Sequence, residues 1–317
     1  MKDNKLKVSV LLATFNGEIY IREQLDSILE QEESVDEIVI CDDGSTDGTM
    51  EILCSYQKKY PELIKVYQNN VNKGYAKNFW DSIKLTTGDV VIFSDQDDIW
   101  MKSKVYEIKS VFKNNKHVKA LNTAYKLIDS SGKIIHTYKD AHYFNDNKLR
   151  QISFKQFVKS PKFPGMSMAI RKDLYTKDTA YKDEYLLAHD WYLNQQAAYQ
   201  KGLFFLNKPL ALYRQHSNNL VGVSSTIISK FALEKRLSII KREEIMTDVL
   251  MQIYSYDKKI YSYITNVKIN IIRRYLFVSN MNLLAVCIRF LFYWRFYSLR
   301  NFAGDVYAIL NAYKYGE

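Results

Sequence analysis

Four short apolar runs, Val8 to Ala13, Glu37 to Cys41, Ile64 to Gln68 and Val90 to Ser94, are separated by segments of helical period. This alternation constrains the chain more than any other feature. The runs are nearly continuous rather than alternating in character, as expected of strands buried on both faces, and parallel strands joined by crossover helices are buried in that way. The segments Ile19 to Gln31, Thr49 to Lys59 and Tyr75 to Thr86 carry apolar residues three and four apart, and Ser45 with Asp47 offers capping oxygens ahead of the second. Up to Asp98 the chain reads as βαβαβαβ, an α/β fold.

Beyond Asp98 the pattern predicts antiparallel strands over Lys119 to Ile128 and Ile134 to Tyr138, joined through Asp129, Ser130, Ser131 and Gly132, so the sheet is mixed. Leu187 to Gln200 reads as a helix, and Leu203 to Leu206 and Leu210 to His216 as short strands. After Val223 the chain turns helical: Ile260, Ile264, Val267, Ile271, Tyr275 and Val278 recur at spacings of 4, 3, 4, 4 and 3. A boundary near Gly222 divides a catalytic domain, residues 1–222, from a basic, aromatic-rich helical region, residues 223–317. Gly and Pro number only 11 and 4 in 317 residues, so the whole length is expected to be ordered.

The net charge of +10 is unevenly spread. From Ile227 to the end there are 14 Lys and Arg against 7 Asp and Glu, and no acidic residue lies between Lys258 and Gly304. Arginines mixed with Tyr275, Phe277, Phe290, Phe292, Trp294 and Phe296 compose a surface suited to anionic lipid, the alternative being a basic subdomain that packs on the core. Leu283 to Trp294, the most apolar stretch, is interrupted by Arg289 and too short to cross a bilayer. No nucleic-acid partner is expected, because the basic residues form no recognised reading motif. Cys41, Cys54 and Cys287 lack metal-ligand spacing, which suits buried thiols in a reducing compartment. The apolar start gives way to Asn16 and Glu18 too soon for a signal peptide. A cytoplasmic protein held peripherally at the inner face of the cell membrane is the expectation.

Open α/β sheets bind ligands beyond the carboxyl ends of their strands. Thr14, Phe15 and Asn16 follow the first strand here, Asp42, Asp43, Gly44 and Ser45 the second, Asn72, Lys73 and Gly74 the third, and Asp95, Gln96, Asp97 and Asp98 the fourth. Each group alone is also ordinary turn and capping chemistry. Hard Mg²⁺ or Mn²⁺ prefers carboxylate, phosphate and water oxygens, so Asp97, with Asp95 or Asp98 nearby, can bridge the protein to a phosphate-bearing ligand.

Together the segments VSVLLATFNG, EIVICDDGSTDGT, NKGYAKN, DVVIFSDQDDIW, PGMSMAIRK, AHDW and YRQH, in this order over Val8 to His216, resemble the family 2 glycosyltransferases. The wording SDQDDIW, HDW and YRQHSNN is most similar to the bacterial rhamnosyltransferase-type members. The resemblance implies a GT-A, Rossmann-like mixed sheet flanked by helices, followed here by a C-terminal helical extension. It implies Asp97 as metal ligand for Mn²⁺ or Mg²⁺ and Asp95 as a donor contact, with His216 as a further ligand and Arg214 as a charge for the departing diphosphate. Asp42 or Asp43 can accept the N3–H that uracil and thymine share, with Thr14 and Asn16 flanking the base and Lys73 as a second contact.

The same resemblance makes Asp190 the base that takes the acceptor hydroxyl's proton. It opens the helical run HDWYLNQQAAY, where a helix N-terminus favours an ionised carboxylate, and helix capping is the competing explanation. His189 and Trp191 are placed on the acceptor side, with Gly165, Met166, Asp98 and Trp100 bordering acceptor or sugar. One base and direct attack imply inversion at the anomeric carbon. The expected donor is dTDP-L-rhamnose, the alternative a UDP-hexose or UDP-N-acetylhexosamine, and the acceptor a cell-surface polysaccharide or lipid-linked glycan. His-Asp stands where the family usually has Glu-Asp, and YRQH replaces its Gln-x-x-Arg-Trp segment; these departures bear on acceptor and donor type respectively. A phosphohydrolase using Asp95 and Asp97 leaves the DDGS motif unexplained, and a lectin-like binding module needs no acidic cluster.

Overall fold

Strand β1 (Val8–Thr14) lies between β2 (Glu37–Asp42) and β4 (Val90–Ser94), parallel to both, with β3 (Ile64–Gln68) parallel to β2 beyond it. Nearly every residue of β1, β2 and β4 is buried, whereas β3 is mostly exposed at the sheet margin. Helices α1 (Ile21–Leu29), α2 (Thr49–Lys59) and α3 (Tyr75–Ser82) connect these strands. In this computed structural model, residues 6–135, 145–159, 163–175, 188–216, 232–294 and 296–315 are described.

The sheet continues through β9 (Met168–Arg171), antiparallel to β4 and to β6 (Ala120–Ile128). Next comes β10 (Leu203–Arg214), parallel to β6 and antiparallel to β5 (Ile99–Trp100). The full order is β3-β2-β1-β4-β9-β6-β10-β5, with β7 (Ile134–Ile135) paired to β6 and β8 (Leu149–Gln151) paired to β10. A mixed sheet of this kind, flanked by helices, is the GT-A fold. Val10, Leu12, Ile40 and Ile92 of the strands share one core with Ile21 and Leu25 of α1 and with Ile108 and Phe112 of α4 (Lys104–Asn114). Burying each such side chain contributes roughly 1.5–3 kcal/mol.

Two readings of the sequence are corrected. The two short strands expected at 203–206 and 210–216 are one, β10, because the proline between them shifts the pairing register at Pro209 without ending the ladder. Of the three thiols only Cys41 is buried; Cys54 is exposed on α2 and Cys287 lies between. Several expected features fall outside the described residues: positions 136–138 of the second hairpin strand, Leu187 at the start of the helix, the SNN after His216, and Gly222.

The chain forms two compact units, Met1–Phe154 with Lys162–Gly222, and Lys155–Pro161 with Val223–Glu317. The first holds the sheet and α6 (His189–Tyr199). The second is built on α7 (Ala232–Ile253), α8 (Lys258–Ser279), α9 (Leu283–Tyr293) and α10 (Leu299–Tyr315), with most of α5 (Phe154–Lys159). Its core joins Ile240, Val267, Ile271, Val278, Val286 and Ile309. The helical period of α8 emerges as expected, with Ile264, Val267, Ile271 and Val278 buried. Among the described residues no helix is long and apolar enough to cross a membrane.

Inside this second unit lies a fully buried carboxylate, Asp305. It accepts from Arg236 Nε, from Arg274 Nε at 3.0 Å and from the Tyr297 hydroxyl, while Arg274 Nη1 also reaches Glu243 at 2.6 Å. Removing one partner of a buried ion pair strands the other charge and typically costs about 3–5 kcal/mol. Asp305→Ala is therefore expected to lower unfolding free energy by about that amount in urea denaturation; a loss no larger than that of an exposed alanine substitution contradicts the network's structural weight.

Candidate active site

The rim at the carboxyl ends of β1 and β2 is stitched by side chains that satisfy backbone groups. Asn16, in the left-handed region at φ 49°, donates its backbone N–H to Ser45 Oγ at 2.8 Å and accepts the Thr46 N–H at 2.9 Å. Gln96 accepts from Thr14 Oγ1 at 2.7 Å and Phe15 N–H at 2.8 Å, and donates to the Phe15 carbonyl at 3.1 Å. Gly17 admits it: a Cβ there would meet Gln96 Oε1 at 2.4 Å.

Asp42 and Asp43 are both buried. Asp42 Oδ2 accepts the N–H groups of Gly44 at 3.1 Å and Ser45 at 2.8 Å and the Gln68 amide at 3.2 Å, while Oδ1 accepts from the Ser45 hydroxyl. Asp43 accepts the N–H groups of Lys73 at 3.0 Å and Gly74 at 2.8 Å and the Asn69 amide at 2.8 Å. Both carboxylates are thus engaged in shaping their loops. The Lys73 ammonium lies 3.5 Å from Asp81 and is partly exposed.

Past β4 the acidic cluster gathers. Asp97 Oδ2 lies 2.8 Å from His216 Nε2, the two side chains being 14% and 13% exposed. His216 also stacks against Tyr20, ring centroids 5.0 Å apart. Burial, then Asp97 and Asp190, raise the Asp95 carboxyl to about 7, and a nearby ammonium, Lys104, opposes them. Burial likewise drives Lys104 down to about 7 against the pull of Asp98 and Asp95. Its Nζ donates to the Met166 carbonyl at 2.9 Å and sits 4.1 Å from the Trp100 ring centroid. Asp95 is therefore an electrostatic neighbour of Asp97 and Asp190, and Lys104 of Asp95 and Asp98.

Two expected ligand contacts turn inward. Asp98 is buried, accepts the Arg214 N–H at 3.0 Å and is pushed well above the ordinary carboxylate range by burial, Asp97 and Asp95. Arg214, expected to meet diphosphate, is 1% exposed. Its guanidinium donates to the carbonyls of Asp97 at 2.7 Å and Ser130 at 3.1 Å, pairs with Glu23 and covers Tyr20 at 4.5 Å. It ties the end of β10 to the cluster's own backbone, and those bonds occupy it.

Asp190 stands in the first turn of α6, its Oδ1 accepting the Trp191 N–H at 2.6 Å. Gly165 lies against it: a Cβ there would come within 3.8 Å of Asp190 Cβ and 3.0 Å of His189 Nε2. The neighbouring side chains expected on the acceptor side, Trp100, Met166, His189 and Trp191, are all buried. His189 packs on Phe79 and Phe93 with centroids 4.2 and 5.1 Å away, neither ring nitrogen has a hydrogen-bond partner, and burial lowers its pKa to about 3.

Sequence reasoning gave no role to Lys104, Glu23 or Tyr20, and counted Gln96 only as a member of the metal-holding cluster. A lysine opening an amphipathic helix, or a glutamate in the first turn of another, carries no local sign that it points inward. Gln96 alone had a signal, an uncharged amide within a run of carboxylates.

The mixed, helix-flanked sheet is of the GT-A class. The family model described as "Glycosyl transferase family 2" matches residues 9–176, and the chain belongs to that family and is a glycosyltransferase. It is 34% identical over 246 residues to the dTDP-rhamnosyl transferase RfbG of Shigella flexneri, which spans 73% of this chain and 80% of that protein. An uncharacterized glycosyltransferase of Haemophilus influenzae is 23% identical over 281 residues, 79% of this chain and 87% of the relative. In fold, S. aureus TarS 1-349 in complex with UDP-GlcNAc superposes with a TM-score of 0.58 at 18% identity, covering 98% of this chain and 93% of that one. Mannosyltransferase PcManGT from Pyrobaculum calidifontis, in complex with GDP-Man and Mn²⁺, gives 0.57 at 15% identity, covering 99% and 88%.

Because folding keeps His189 neutral, the unfolded chain binds more protons between about pH 6.5 and 3, so stability falls as pH drops through that window. Between pH 7 and 5 the wild type is expected to lose up to about 2 kcal/mol more than His189→Leu in urea denaturation; parallel losses contradict a neutral buried imidazole.

Proposed function

We propose that the enzyme transfers a sugar, with inversion, from a nucleotide-diphosphate donor to a glycan hydroxyl, using a divalent cation shared between Asp97, His216 and the donor. The contact that carries this reading is Asp97 Oδ2 to His216 Nε2 at 2.8 Å, at the strand ends where a donor binds. Among the described residues no group of three or more His, Cys, Asp or Glu side chains is placed to hold an ion by itself. One carboxylate and one imidazole nonetheless fit an ion that arrives with its phosphates, since Mg²⁺ in phosphate-handling sites is held by one or two protein groups plus substrate oxygens. When bound, the cation supplies charge neutralisation to the departing diphosphate.

The rest falls to the chain. The acceptor oxygen attacks the anomeric carbon, the carbon–oxygen bond to phosphate breaks, its electron pair leaves with the diphosphate, and the acceptor's proton passes to the Asp190 carboxylate. Its position in the first turn of α6, where a helix N-terminus favours a charged carboxylate, supports this role. Asp95 faces both Asp97 and Asp190 and is assigned to the donor between them. Thr14, Asn16 and Lys73 border the base. The similarity to a dTDP-rhamnosyl transferase supports dTDP-L-rhamnose as donor, and a cell-surface or lipid-linked glycan is assigned as acceptor by family analogy alone. Residues 223–317 are assigned to holding the enzyme at the membrane.

Asp97→Ala is expected to abolish both transfer and the metal-dependent rise in melting temperature with dTDP or UDP. Asp190→Asn should keep that rise while losing roughly 10²–10⁴ in kcat. Nucleotide stabilisation of the wild type that ignores Mn²⁺ and Mg²⁺ would remove the cation from the reaction. A panel of sugar nucleotides, with hydrolysis or transfer as the readout, identifies the donor.

A further inference from the structure

We infer that one face of α9 seats the protein on an anionic lipid bilayer. The observation is an apolar surface left bare where a bundle helix should bury it. Leu284, Ile288, Leu291 and Phe292 are 71, 47, 70 and 77% exposed. At 100° per residue they fall within about a quarter-turn of one another, on a single stripe. The opposite side of the helix is spent on the core, with Val286 and Arg289 buried. Large apolar side chains gathered on one exposed stripe mark an interaction surface, whereas scattered ones do not.

Charge selects the occupant. Between Lys258 and Gly304 the chain has eight basic residues and no acidic one. Arg274 is tied to Asp305 and Glu243 and Lys268 to Asp248, but Arg273 is exposed and close enough to act on the charge of Arg289 of α9, and Lys159 lies against Trp294 at the end of α9. A second copy docked on this face would bring the same unbalanced cations against it, whereas an anionic lipid surface neutralises them, each contributing about 1 kcal/mol near the headgroups. The boundary is also suited to lipid: Trp294, 60% exposed at the end of α9, receives a bond from Lys159 Nζ to its carbonyl at 2.6 Å, with that ammonium 5.8 Å from its ring. Tryptophan and lysine at the edge of an apolar stripe match the interfacial zone of a bilayer. With 11 residues, α9 is about 17 Å long, about half the hydrocarbon thickness, so it lies in the headgroup boundary and does not span.

This inference does not depend on which donor is used, and its test is separable. Of the four tryptophans, Trp80, Trp100 and Trp191 are buried and Trp294 is exposed, so a shift in emission on binding reports this face. The intact chain is mixed with vesicles of phosphatidylcholine alone or with about 30 mol% phosphatidylglycerol, and partitioning is read by flotation. The wild type is expected to partition roughly tenfold more into the anionic vesicles, with a blue shift in emission. Leu291→Glu with Phe292→Glu, both on the exposed stripe, should lose the partitioning and the shift while keeping the wild-type melting temperature and donor hydrolysis. Equal partitioning of this variant overturns the assignment. So does failure of the wild type to bind, or a stripe-dependent dimer in light scattering without vesicle binding.

Discussion

The repulsion among carboxyl groups crowded at one sheet edge is opposed by a lysine buried beside them. Lys104 is buried against Trp100 and the Met166 carbonyl, and it pulls against the repulsion that raises Asp95 and Asp98. An unpaired buried ammonium is costly, and so is a buried carboxylate, so each makes the other tolerable. Arg214 performs a related task from the other side, fastening the end of β10 to the backbone of the acidic turn and to Glu23. Interior cations therefore hold the site's shape, which leaves its outward-facing acids available to a donor.

The strands and their order of appearance were legible because burial on both faces writes a simple signal: uninterrupted aliphatic runs. β3 and β4 begin and end where the runs do, and α2 spans the segment whose period announced it. β10 was harder, since a proline looks like an ending when it only shifts register. The site was legible in its location more than in its roles. That polar groups collect at strand ends follows from topology, and Asp97 with His216 duly meet there. Which of several aspartates faces outward depends on loop geometry that no residue pattern encodes: Asp42 and Asp43 spend oxygens on backbone N–H groups, and buried Asp98 gives one oxygen to the Arg214 N–H. Trp191 and His189 look like acceptor-side residues by type, yet both are buried.

The second unit distributes charge and oil in the reverse of the usual manner. Asp305, Arg274 and Arg289 lie within the bundle, while Leu284, Leu291 and Phe292 of α9 stand outside it. Internal ion networks fix which helix faces meet, since each bond admits one rotation of the helices that supply it. The apolar residues released from that duty are then free to serve as a surface.

The far side of β10 is shared between two short partners. Phe204 to Leu206 pair with β8, and Ala211 with Leu212 pair with β5. At the opposite margin β3 is only five residues long and turns Lys65 toward solvent. Unsatisfied strand edges invite other chains to add on, and short, charged or covered edges discourage it. The sheet thus presents little template for self-association along its hydrogen-bonding direction, a protection against fibrous growth that comes from the same interruption at Pro209 that divides β10 between its neighbours.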